Sequence, residues 1–181
     1  SCGELGIDIS ESPIIPGGRT STYLFINDAD GDMALAVSDM DIYRHLTPQA
    51  LSQRLKLFNS SQVLVVDTNL PAESLAWLAE NVTAPIFADP VSTAKAEKLR
   101  PILGRLHTLK PNRLEAELLS GIPITDEDSL RRAAKELLKT GLRRVFISLG
   151  GEGVYAAGQD GACHLPVLPA KAVNTTGCGD A

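Results

Sequence analysis

The chain has 181 residues and a mass of 19.2 kDa, and 44% of its residues are apolar, enough for one core and too few for two full domains. Seventeen Lys and Arg against 22 Asp and Glu give a formal charge of −5 with no basic stripe, so the expected partner is a small molecule and not nucleic acid. No apolar run approaches the ~20 residues that cross a bilayer, no signal-peptide pattern opens the chain, and Cys2, Cys163 and Cys178 form no CxxC, which predicts a soluble, cytoplasmic protein with no membrane partner.

In chain order, residues 20–27 (TSTYLFIN) are β-prone, 28–32 (DADGD) read as a turn, and 33–37 continue as strand, which predicts a hairpin. Thr47 and Pro48 then supply an N-cap and a proline at the first helical position, with Leu51, Leu55 and Phe58 at helical spacing, so a helix is expected to about Asn59. Residues 62–67 (QVLVVD) form a short apolar run ending in a carboxylate, as a buried parallel strand does where it opens onto a site. A helix over 71–81, a strand over 85–89 (PIFAD), a helix over 94–103 interrupted by Pro101, and a strand over 107–109 follow.

Helix is again expected over 112–120, stopped by Gly121, and a longer helix capped by Thr125 carries Leu130, Ala133, Ala134, Leu137 and Leu138 on its buried face as far as Gly141. Strands over 144–148, 154–157 and 163–168 complete the pattern, with a turn at Gly150-Gly151. This alternation predicts an α/β fold of three layers, an open and mostly parallel sheet with helices on both faces. The chain lacks an initiator Met and stops at Asp180-Ala181 inside a motif, so it is expected to be a piece of a longer protein.

Three segments carry candidate chemistry. In NTTGCGDA (174–181), Gly177 and Gly179 bracket Cys178 and let successive N–H groups converge on an anion, while Asp180 is placed to take a proton from an attacking hydroxyl. A glycine loop capping a helix with an ordinary N-terminal Asp fits the same residues. In KPNRLEAE (110–117), Asn112 and Glu115 share one helix face and offer oxygen donors to a hydrated Mg2+, although Asn and Glu at this spacing also make a capping box.

The third segment, SLGGEG (148–153), can border a nucleotide's phosphates or ribose, or be a plain tight turn. Asp67 and Asp89 end predicted strands at the edge where open α/β sheets bind ligands, or else cap their own loops. The three histidines are unclustered, and GxxxxGK[ST], GxSxG and GxGxxG are absent, which disfavours P-loop NTPases, serine hydrolases and classical dinucleotide enzymes.

Taken in order, KPNRLEAE, SLGGEGV and VNTTGCGDA resemble the ribokinase-like (PfkB-type) carbohydrate and nucleoside kinases. Within that family, TSTYLFINDADGDMALAVSDMDI, DTNLP, ADPVS and HTLKPNRLEAELLSGI look most like the members that act on pseudouridine, so the resemblance covers about 20–181. It implies transfer of the ATP γ-phosphoryl group to a primary hydroxyl, here the 5′-hydroxyl of pseudouridine. It also implies Asp180 as base, with Gly177, Cys178 and Gly179 as the anion hole.

By the same resemblance Asn112 and Glu115 match the family's NxxE motif and act on Mg2+ through its waters. Lys110, Asn112, Ser148, Gly150, Gly153 and Thr176 would bind the nucleotide, and Ser38 and Asp39 would lead towards the substrate. ATP and Mg2+ are the implied cofactors, with K+ as the candidate monovalent cation. The organisation implied is a leading loop over 1–19, a β lid over 20–42 that is also a candidate homodimer contact, and a nucleotide-binding core over 43–181.

The chain departs from the family pattern at Cys178, where Ala is usual, and in lacking a counterpart of the family's first strands and sugar-gripping Gly-Gly segment; Gly17-Gly18 lies in a different context. The sugar site is therefore expected to be incomplete, and this chain by itself to be inactive. The alternatives are a kinase for another sugar, nucleoside or small alcohol on the same scaffold, and a non-catalytic fragment that binds nucleotide or dimerises.

Overall fold

The computed structural model describes residues 2–27 and 33–168. The turn expected at 28–32 and the whole of NTTGCGDA, including Thr176, Gly177, Cys178, Gly179 and Asp180, lie outside the described residues.

Residues 2–19 are irregular apart from one 3₁₀ turn at Gly3–Leu5. The expected hairpin follows as β1 (Thr22–Asn27) and β2 (Met33–Asp39), antiparallel and forming a two-stranded sheet of their own. Leu24 pairs with Val37 and Ile26 with Leu35, so strand alternation gathers these four aliphatic side chains on one face. All four are exposed.

Thr47 caps α1 (Pro48–Ser52) as expected, its Oγ1 accepting the Ala50 N–H at 3.2 Å with Pro48 beginning the helix. The single helix expected to Asn59 is instead two, because Arg54 leaves helical geometry before α2 (Leu55–Ser60) and sends its Nε–H to the Glu11 carbonyl, 2.9 Å away.

Among the described residues the main sheet has six strands in sequence order: β3 (Leu64–Asp67), β4 (Ile86–Asp89), β5 (Thr108–Leu109), β6 (Arg144–Ser148), β7 (Val154–Gly158) and β8 (Gly161–Leu165). The pairings from β3 to β6 are parallel and the last two antiparallel. Strand β8 begins and ends earlier than the expected 163–168, because Gly161 permits the tight turn out of β7 and Pro166 cannot continue the ladder.

Between the strands run α3 (Ala72–Asn81), α4 (Thr93–Ala96), α5 (Arg113–Ser120) and α6 (Glu127–Lys139). Pro101 turns the second half of the expected 94–103 helix into 3₁₀ structure over Glu97–Arg105, since it has no N–H to donate to the preceding turn. The cap of α6 is Asp126 and not Thr125: the Asp126 carboxylate accepts the Ser129 N–H at 2.7 Å, and the Ser129 hydroxyl oxygen accepts the N–H groups of Asp126 and Thr125. Asp reaches this amide as well as Thr does, and sits one residue closer to the helix.

Strands advancing steadily in one direction through right-handed crossovers place their connecting helices on one face of the sheet. Burial agrees: Val66, Ala88, Leu109, Val145 and Ala157 lie in one paired row, and all are buried against the helices. The other face carries Val65, 74% exposed, and Phe146, 37% exposed. The described residues thus furnish an α/β sheet with one helical layer, while the second layer of the expected architecture is not among them.

Backbone packing is close where the core's edge demands it. A Cβ on Gly104 would overlap the Thr140 carbonyl oxygen, so only glycine lets the Glu97–Arg105 segment meet the end of α6. Each fully buried aliphatic such as Leu137 or Val145 contributes about 1.5–3 kcal/mol relative to exposure.

Candidate functional site

The carboxyl ends of β4, β5 and β6 gather Asp89, Lys110, Asn112, Glu115 and the loop after Ser148. Their order follows from the parallel register, which pairs Asp67 with Asp89 and continues the ladder from β5 into the isolated bridge between Asn112 and Ser148. The Ser148 N–H donates to the Pro111 carbonyl at 2.9 Å, fixing the two segments side by side. Asn112 and Ser148 are 36 positions apart in the sequence, and the topology makes them neighbours.

At the start of α5 the capping box is complete. Asn112 Oδ1 accepts the Glu115 N–H at 2.9 Å, and Glu115 Oε2 accepts the Asn112 N–H at 2.8 Å. The helix-capping reading of this pair is therefore realised in the structure.

Capping does not explain why the carboxylate is only 3% exposed. Burial pushes the Glu115 pKa above the ordinary carboxylate range; the Asn112 N–H opposes the shift, the Asp89 charge adds to it, and the Lys110 charge opposes it. A cation here would relieve that desolvation. Among the described residues no group of three or more His, Cys, Asp or Glu is arranged to hold a metal ion directly. Asn112 and Glu115, with Asp89 nearby, suit an ion that keeps most of its waters, as Mg2+ does.

Asp89 has two duties. Its Oδ2 lies 2.9 Å from Lys110 Nζ, and its Oδ1 accepts the Val91 N–H at 2.8 Å. The second bond holds a strained turn, since Val91 has φ +64°, a left-handed conformation that β-branched residues avoid. Among the described residues Asp67 bonds within its own turn, accepting both the backbone and side-chain N–H groups of Asn69 at 2.8 Å, and Asn69 in turn receives Lys95 Nζ at 2.6 Å.

A cleft of about 600 Å³ opens beside these strand ends. Tyr43, Val65 and Phe87 supply its apolar wall, and Asp67, Asp89 and Lys110 its charges. Tyr43, from the 3₁₀ segment Asp41–His45, was not visible as a site residue in the sequence because nothing in its spacing ties it to strands further along the chain.

Past Ser148, which ends β6, the SLGGEG segment is not a simple turn. Gly150–Glu152 forms a 3₁₀ turn, closed by Leu149 N–H to the Gly153 carbonyl at 2.8 Å and Gly153 N–H to the Gly150 carbonyl at 3.0 Å. Gly150 (φ +59°) and Gly153 (φ +98°) both take left-handed conformations, and a Cβ on Gly153 would overlap the Leu165 carbonyl oxygen.

Of the expected site residues within the described part, Lys110, Asn112, Glu115, Ser148, Gly150 and Gly153 come together at one sheet edge. Ser38 and Asp39 end β2 on the separate hairpin sheet, where Asp39 Oδ1 accepts the Asp41 N–H at 3.2 Å.

The family model for pfkB family carbohydrate kinase matches residues 1–181. The chain is 39% identical over 178 residues to pseudouridine kinase of Escherichia coli K12, a match that takes in 97% of this chain and 57% of that protein. Among solved structures, ribokinase from Thermotoga maritima is 25% identical with a TM-score of 0.75, over 89% of this chain and 52% of that one. Arabidopsis thaliana ribokinase, solved with ribose and ATP, shares the fold at 20% identity and a TM-score of 0.73, over 89% and 53%. The chain spans about half the length of the curated relatives it matches.

Proposed function

Since the chain belongs to the pfkB family of carbohydrate kinases, we propose that it serves ATP-dependent transfer of the γ-phosphoryl group to an alcohol, with the 5′-hydroxyl of pseudouridine as acceptor. The observation that supports the chemistry is the convergence of Lys110, the Asn112–Glu115 pair and the glycine loop after Ser148 on one sheet edge. The likeness to the Escherichia coli pseudouridine kinase supports the acceptor.

In this reading the N–H groups and left-handed glycines of the 148–153 loop border the nucleotide, and the Lys110 ammonium faces its phosphates. Asn112 and Glu115 orient waters around Mg2+, which when bound spreads the charge that builds on the phosphoryl oxygens. Thr176 is assigned to binding the phosphates. Asp180 accepts the proton of the attacking 5′-hydroxyl, and the amides of Gly177, Cys178 and Gly179 gather the transferred group, so that positioning and electrostatics carry the reaction. Ser38 and Asp39 reach the acceptor from the hairpin, which serves as a lid. The setting is cytoplasmic, and K+ is the candidate activating cation.

The hairpin's exposed aliphatic face is also the candidate homodimer contact. An isolated two-stranded sheet is marginal in water, and one bearing Leu24, Ile26, Leu35 and Val37 in the open is stabilised by pairing with a like surface.

Assay of the protein expressed from its complete reading frame against pseudouridine, uridine, ribose and fructose tests the acceptor. Pseudouridine should be phosphorylated best; a strong preference for a hexose would refute the acceptor and leave the chemistry standing. Asp180→Asn should abolish transfer while largely sparing ATP binding, and near-normal kcat in that variant would remove Asp180 as base.

A further inference from the structure

Arg113 and Glu152 are 39 positions apart in the chain and neither is itself a proposed nucleotide or Mg2+ contact, yet they join the two segments proposed to bind ATP. Arg113 Nη2 lies 2.8 Å from Glu152 Oε1, and Arg113 Nη1 also donates to the Ile124 carbonyl at 3.4 Å. The guanidinium is thus tied to the connection between α5 and α6 while it grips the glycine loop. From β8, His164 Nε2–H donates to the Glu152 carbonyl oxygen at 2.8 Å, and the His164 ring packs edge-on against Tyr155. Glu152 is therefore fixed at both its side chain and its backbone.

The loop needs such an anchor. Two of its residues are glycines in left-handed conformations, and glycine loses more chain freedom on ordering than any other residue. Without an external tie, ATP would have to order the loop as it binds, and its affinity would fall by that cost.

We infer that Arg113 and Glu152 are positioning residues that, with His164, hold the Leu149–Gly153 loop in its nucleotide-ready form against the start of α5. The inference rests on the proposed nucleotide reading of that loop. Neither residue touches the reacting atoms: the effect falls on ATP binding and not on the transfer step.

Two measurements on the intact protein separate the inference from the reading beneath it. The first is hydrogen exchange at the Leu149 and Gly153 amides, which the loop's internal bonds protect, without nucleotide. The second is calorimetric titration with ATP and Mg2+. Arg113→Ala and Glu152→Ala should each speed exchange at both amides and weaken ATP binding by about threefold to tenfold, the range of a partly exposed ion pair joined to a loop-ordering cost. The exchanged pair Arg113→Glu with Glu152→Arg should recover most of both losses, a rescue that general destabilisation would not give.

Unchanged exchange and unchanged ATP affinity in the single variants would overturn the inference while leaving the nucleotide reading intact. Faster exchange with unchanged affinity would overturn it as well, showing a tie that does not serve the nucleotide. A parent protein that binds no ATP would take down the nucleotide reading first, and this inference with it.

Discussion

The β1–β2 hairpin and the six-stranded sheet are built from the same β-branched and aliphatic residues, yet their fates differ. Val66, Val145 and Ile147 of the sheet are buried against helices, whereas Leu24 and Val37 of the hairpin are about two-thirds exposed, at 65% and 64%. The difference is topological. Crossover helices return over every parallel pair from β3 to β6 and cover one side, but the hairpin's strands adjoin directly and bring no helix with them. Apolar residues in the sheet are therefore stability, while the same residues in the hairpin are surface available to a partner.

Substitution should expose that contrast most sharply in the core. Leu137→Ala, at a fully buried position of α6, should cost about 2–5 kcal/mol in urea unfolding. Leu24→Ala should stay within about 0.5 kcal/mol at dilutions where the chain is monomeric, as an exposed position does when no partner covers it. Equal losses at the two positions under those conditions would mean that the hairpin face is packed within the monomer.

Next in size is Gly104→Ala. The added methyl must displace the Thr140 carbonyl, and overpacking of this kind costs about 1–3 kcal/mol, read as a lowered Tm. Asn112→Ala removes the side-chain half of the α5 capping box and should cost about 1 kcal/mol in the same measurement. It should weaken Mg2+-dependent ATP binding as well, which sets it apart from a substitution that only destabilises.

A pH dependence is expected from Glu115. Its folded-state pKa is raised, so the folded protein holds its proton more tightly than the unfolded chain does. The contribution of this group to stability is greatest below the ordinary carboxylate range and falls as pH rises from there through the raised value. Glu115→Gln should flatten that part of a stability-versus-pH curve, and an unchanged slope would contradict the burial cause. The smallest expected effect on stability is that of Val37→Ser on the hairpin, whose readout is mass by sedimentation: a parent dimer should shift towards monomer with little change in Tm.

Much of this architecture was legible because it depends on local signals. The Thr47-Pro48 start, the Asn112 cap and the Gly121 stop each act within one helical turn. Short apolar runs marked the strands from β3 to β6 for the same reason. What escaped was either competitive or distant. Thr125 and Asp126 are both good caps, and only geometry chose the second. Arg54 broke a well-patterned helix through a bond to Glu11, 43 residues earlier.

The candidate site divides in the same way. Asn112 and Glu115 were visible through their spacing, but the Asp89–Lys110 pair and the Arg113–Glu152 tie arise only when parallel strands bring their carboxyl ends together. Asp67 and Asp89 were indistinguishable as strand-ending carboxylates, and the structure separates them: one serves its own turn, and the other also reaches Lys110.

The most direct test follows the labelled γ-phosphoryl group of ATP, in the presence of Mg2+ and pseudouridine, with the protein expressed from its complete reading frame. Label should appear on the 5′-oxygen of pseudouridine, and Lys110→Ala and Glu115→Gln should each slow its appearance. Transfer at an undiminished rate in both variants would show that the edge formed by β4, β5 and β6 is not where the phosphoryl group is handled.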